Sequence, residues 1–78
     1  MTYKTMSFIH NLLVNKEQVT ALKLQQARED FYQAEEDFNT GAITKREFQT
    51  AEEDKERALA EHREASAALD EFENQDWR

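Results

Sequence analysis

A chain of 78 residues with one glycine, Gly41, and no proline has almost nothing with which to interrupt a helix. The residues beyond Asn15 are mostly Ala, Glu, Gln, Lys, Arg and Leu, which lose little conformational freedom on becoming helical. The only clear break is Asn39-Thr40-Gly41-Ala42-Ile43-Thr44. Gly41 suits the left-handed position that ends many helices, because it has no Cβ to clash there. Thr44 and Glu47 then stand at the spacing of a capping box, and Ile43 and Phe48 at that of a hydrophobic staple. Stop and start signals fall within ten residues, so the chain is expected to double back once.

The fold class this predicts is all-α: an antiparallel two-helix hairpin, coiled-coil-like, with helices over about 16–40 and 45–75 and a turn over 41–44. Residues 1–15 form an apolar N-terminal segment. Ser7 can cap a short third helix over Phe8–Val14, and Asn15 with Gln18 matches a second, weaker capping box. The spacing leaves open whether Asn15 breaks the chain or is a polar position within one continuous helix.

Apolar residues recur at helical, nearly heptad intervals. Leu24, Ala27, Phe31, Ala34 and Phe38 step by threes and fours, as do Phe48, Ala51, Lys55, Ala58, His62, Ala65, Leu69 and Phe72. Pairing Phe38 with Phe48 places Phe31 near Lys55, Ala27 near Ala58, Leu24 against His62 and Leu13 near Phe72. Lys55 interrupts the seam. It acts either as a register device or by laying its stem along Phe31 with the ammonium toward Glu35 or solvent.

Two stripes make a thin core for a chain of this size, which has no cysteine to supply a disulfide. Phe8, Ile9, Leu12, Leu13 and Trp77, with Val19 and Leu22, are left over, mostly where the termini meet. They either close a small core over that end or form a docking surface for a protein partner or a second copy. The function this implies is non-catalytic: assembly, adaptor or structural work within a larger complex, through protein–protein contacts.

Charge supplies the alternative. Residues 28–78 carry 16 acidic and 7 basic side chains, a balance of −9, whereas residues 1–27 carry 3 and 1 in favour of the basic ones, a balance of +2. Glu35-Glu36-Asp37 and Glu52-Glu53-Asp54 flank the turn on opposite arms. Carboxylates arrayed along a rod can mimic DNA and occupy a basic nucleic-acid-binding groove of a partner. Otherwise they are solvated faces, partly balanced by pairs such as Glu53–Arg57. A net charge of −7 argues against direct binding to nucleic acid or to an anionic membrane.

Other chemistries find no footing. No phosphate-cradling loop or nucleophile motif is present, and no carboxylate has an evident buried setting. An enzyme is therefore not expected, nor a cofactor. His62 lacks a Glu three residues before it, where Leu59 stands, and His10 is isolated, so no metal site is expected. No apolar run reaches the roughly 20 residues of a membrane span, and no export signal is evident. The expected location is the cytoplasm, or a particle assembled there. The stretch from Gly41 to Phe48, followed by Ala51, resembles the hairpin tips of periplasmic adaptor proteins of efflux pumps. It is equally similar to a small C-terminal helical module of bacterial proteins. The resemblance covers under a third of the chain and implies a helix–turn–helix, with no activity or partner carried over.

Overall fold

A computed structural model describes residues 3–75. Its two helices are α1 (Tyr3–Asn39) and α2 (Lys45–Glu73), packed along their length as an antiparallel hairpin. At about 1.5 Å per residue, the 37 residues of α1 span roughly 55 Å. That accounts for the longest dimension of the 59 × 15 × 13 Å rod.

The reversal is built as its residues require. Gly41 has φ 79°. The Gly41 amide donates to the Phe38 carbonyl at 3.1 Å and the Ala42 amide to the Asp37 carbonyl at 2.7 Å, a Schellman motif that satisfies the end of α1. Thr40 Oγ1 also donates to the Asp37 carbonyl. Thr44 is extended and caps α2. Its hydroxyl accepts from the Glu47 amide at 3.1 Å, and its own amide donates to the Glu47 carboxylate at 3.2 Å. The Glu47 charge also suits the positive end of the helix dipole.

The N-terminal segment departs from the expected boundary. α1 runs unbroken from Tyr3, so residues 3–15 are its first turns, and neither Ser7 nor Asn15 interrupts it. The reason lies in α2, which runs back past Asn15 as far as His10, where Phe72 and Glu73 meet it. Met6, His10, Leu13 and Glu17 are half-buried and continue the stepping of the seam upstream through Thr20 to Leu24. Packing along a continuous stripe outweighs the modest capping preference of a lone Asn.

The core is small. Among the described residues only Leu24, Ala58, Ala65, Leu69 and Thr20 are buried. Alanine at two of the four α2 layers nearest the middle of the seam lets the helix axes approach closely, at the cost of apolar volume. Aromatic rings compensate at the turn. Phe48 stacks on Phe38 with centroids 5.1 Å apart and lies 5.5 Å from Phe31, whose edge meets Tyr32. Lys55 sits on this cluster with Nζ 3.8 Å from the Phe31 centroid. The ammonium itself, rather than only the stem, faces the ring, so a cation–π contact replaces the expected reach to Glu35 or solvent.

Candidate functional site

The half of the hairpin away from the turn mixes polar and apolar side chains at its seam, where Leu24, Ala65 and Leu69 are buried beside Thr20, and carries large apolar side chains on its outer face. Thr20 is buried at the seam. Its hydroxyl lies 2.9 Å from the Lys16 carbonyl and 3.0 Å from the Glu17 carbonyl. Donation to these leaves its lone pairs to accept from His62 Nδ1–H, 3.1 Å away. His62 thus meets Thr20 as well as the expected Leu24, with which it lines one groove. Further out, His10 stacks on Phe72 at 5.9 Å, and its Nε2 lies 3.0 Å from Glu73 Oε2. His10 is therefore a cross-helix residue and not an isolated one. Its importance is legible only once the seam is followed upstream of Leu24.

The outer face of α1 carries four of the six large exposed hydrophobic side chains among the described residues, the other two being Tyr32 and Phe38 toward the turn. Phe8 is 64% exposed, Leu12 53%, Val19 41% and Leu22 66%. Steps of 4, 7 and 3 keep these four on one stripe, offset from the seam by about two residues and hence roughly 160° around the helix. Asn15, also exposed, fills the remaining heptad position. Lys16 and Lys23 border one edge, where a groove shared with Leu12 and Val19 reaches Glu61 and Glu64 of α2.

The structure divides the residues expected at the apolar end. Phe8 and Leu12 lie on the outer stripe, whereas Ile9 and Leu13 are half-buried, with Leu13 in the register of the seam. Trp77 lies outside the described residues. Val19 and Leu22 extend the stripe further from the terminus than the leftover positions alone suggested.

The acidic runs take different settings. Glu35, Glu36, Glu52, Glu53 and Asp54 are exposed, and Asp37 is half-buried at the turn, where its carboxylate accepts from Gln33 at 3.0 Å. Arg57 pairs with Asp54 at 3.4 Å, in place of the expected Glu53. Both side chains of that pair are largely exposed, so it adds little to stability. With Phe38 opposite Phe48, residues 52–54 lie about one helical turn further from the tip than 35–37. The two runs are staggered, not level.

Among the described residues, no group of three or more His, Asp or Glu side chains is arranged to hold a metal ion. No described helix is long and apolar enough to cross a membrane. Comparison with protein families, with curated proteins and with solved structures finds no match for this chain.

Proposed function

We propose that this chain is a non-catalytic assembly or adaptor component that works by protein–protein contact, in the cytoplasm or in a particle assembled there. It docks through the outer stripe of α1, centred on Phe8 and Leu12 and extended by Val19 and Leu22. Ile9 borders the stripe, and the acidic arms keep the rod soluble. The observation that carries this reading is the exposed stripe of the open half. Four large apolar side chains face solvent on one helix face, while the seam behind them is closed by Leu24, Ala65 and Leu69 together with the Thr20–His62 contact. Apolar side chains this exposed contribute little to the hairpin's own core, and aligned on one face they are suited to a partner's surface.

The test is capture of a partner on immobilised protein, compared with Leu12→Glu/Leu22→Glu and with charge reversal of Glu35, Glu36, Glu52 and Glu53. Apolar docking is lost in the first variant and tolerates washing at high salt. The rival reading, in which the acidic runs occupy a basic nucleic-acid-binding groove, gives the opposite pattern: loss on charge reversal and steep weakening with salt. Equal capture by wild type and the Leu12/Leu22 variant would remove the apolar stripe from consideration.

A further inference from the structure

We infer that the partner of the outer α1 face is a second copy of this chain, joined antiparallel across a two-fold axis at Asn15. This rests on the reading of that face as a docking surface and specifies its occupant.

The spacing of the stripe is the first argument. Phe8 and Leu22 stand seven residues on either side of Asn15, and Leu12 and Val19 stand three and four residues away. An antiparallel copy therefore sets Phe8 against Leu22 of its partner, Leu12 against Val19, and Asn15 against Asn15. This is the self-complementary arrangement that a two-fold interface requires. Asn15 at its centre explains a polar residue within an apolar stripe, since a facing pair of amides can hydrogen-bond and fix register at some expense in affinity.

Charge is the second argument. The stripe lies in the part of the chain whose balance is +2, with Glu17 the only acidic residue before position 28. The remainder is at −9, of which residues 28–56 around the turn carry −6 and residues 57–78, running back beside the stripe, carry −3. An antiparallel pair sends the two acidic tips to opposite ends of the assembly. Counting from Asn15 at about 1.5 Å per residue, the tips stand roughly 65 Å apart, many screening lengths at physiological salt. A parallel pair would set them side by side.

Surface area is the third. The chain exposes 6162 Å². A compact monomer of 9.2 kDa would expose about 4,900 Å². The excess of roughly 1,200 Å² is larger than the 800 Å² or so that each side of a standard interface covers. A rod 15 × 13 Å in section reduces such an excess most directly by lying alongside another rod.

The experiment is sedimentation equilibrium on the full chain from about 1 µM to about 1 mM, a range that brackets a weak dimer. The apparent mass should rise from 9.2 kDa toward twice that value. Leu12→Glu/Leu22→Glu should hold it at the monomer mass with helical circular dichroism unchanged. Asn15→Leu, a variant that adds apolar contact and threatens no fold, should tighten association at least tenfold. The chain has no cysteine, so a spin label on Gln49→Cys reports only the inter-copy distance. Roughly 65 Å is expected for the antiparallel pair. A mass fixed at 9.2 kDa throughout, no tightening by Asn15→Leu, or labels within about 30 Å overturns the proposal. If the chain stays monomeric yet partner capture still depends on Leu12 and Leu22, the second copy is wrong and the docking face survives. If capture is also indifferent to them, both fall.

Discussion

The two halves of the hairpin place their large side chains differently. Around the turn, the large side chains Phe31, Phe38 and Phe48 face the opposite helix, and the backbone is closed by a Schellman motif and a capping box. Toward the chain ends, the seam holds a Thr20–His62 contact and a His10–Glu73 contact, while Phe8, Leu12, Val19 and Leu22 face outward. Both halves have similar helical geometry and belong to the same two helices. The tip half is organised for its own stability. The open half buries Leu24, Ala65 and Leu69 at a seam shared with polar side chains, and it also keeps Phe8, Leu12, Val19 and Leu22 on the surface, as expected where a face serves a partner.

The sharpest way to break that comparison is to hollow the tip. Phe48 touches both Phe38 and Phe31, so Phe48→Ala removes the ring that joins them. The ring is half-buried, which reduces the usual penalty, and the loss should be about 2–3 kcal/mol. Thermal or urea melting followed by circular dichroism measures it. A loss below about 1 kcal/mol would mean that the aromatic cluster is not what holds the tip.

Next in size is the turn itself. A Cβ added at Gly41 would meet no atom within 4 Å, so the substitution has no steric neighbour to disturb. Its φ of 79° is nonetheless a region that L side chains avoid. Gly41→Ala should therefore cost about 1 kcal/mol through backbone strain alone. A Gly41→Asn change should cost less, because Asn tolerates the left-handed region better. Equal melting temperatures for wild type and Gly41→Ala would show that the turn relaxes to another geometry.

The reversal was legible in the sequence because its signals are local. Gly41, Thr44 and Glu47 act through backbone groups no more than a few residues away, and the structure uses each as the spacing implied. The register also followed, since Phe38 facing Phe48 determines that Phe31 meets Lys55 and Leu24 meets His62. The start of α1 was not legible in the same way. Asn15 carries a capping preference that only packing against α2 overrides, and that packing is a property of the folded pair. The seam upstream of Leu24 was hidden for a related reason. Its positions are occupied by Thr20, Glu17 and His10, which an apolar pattern search passes over. Once they are assigned to the seam, Phe8, Leu12, Val19 and Leu22 resolve from a scatter of leftovers into one face.

The polar layer of the open half gives a smaller effect that distinguishes a specific contact from tolerated polarity. Thr20→Val keeps the shape and removes the hydroxyl that His62 Nδ1 faces at 3.1 Å. The expected loss is about 1 kcal/mol, since one member of a part-buried pair is left without its partner. Thr20→Val/His62→Leu removes both polar groups and should return most of that loss, because no orphan remains. If the double variant falls by the sum of the two single losses, Thr20 and His62 are not coupled.

The smallest effect on the isolated hairpin is expected at the most exposed of the large hydrophobic side chains. Leu22 is 66% exposed and lies on the face away from α2, so Leu22→Ala should change the stability of the single chain by no more than about 0.5 kcal/mol. The measurement has to be made twice, because association adds stability by mass action. At about 1 µM, where a weak dimer is dissociated, wild type and variant should melt together. At several hundred times that concentration the wild type should melt higher and the variant should not follow it. A variant that already melts several degrees lower at the dilute end would place Leu22 in the hairpin's own core, and the outer stripe would lose its most exposed member.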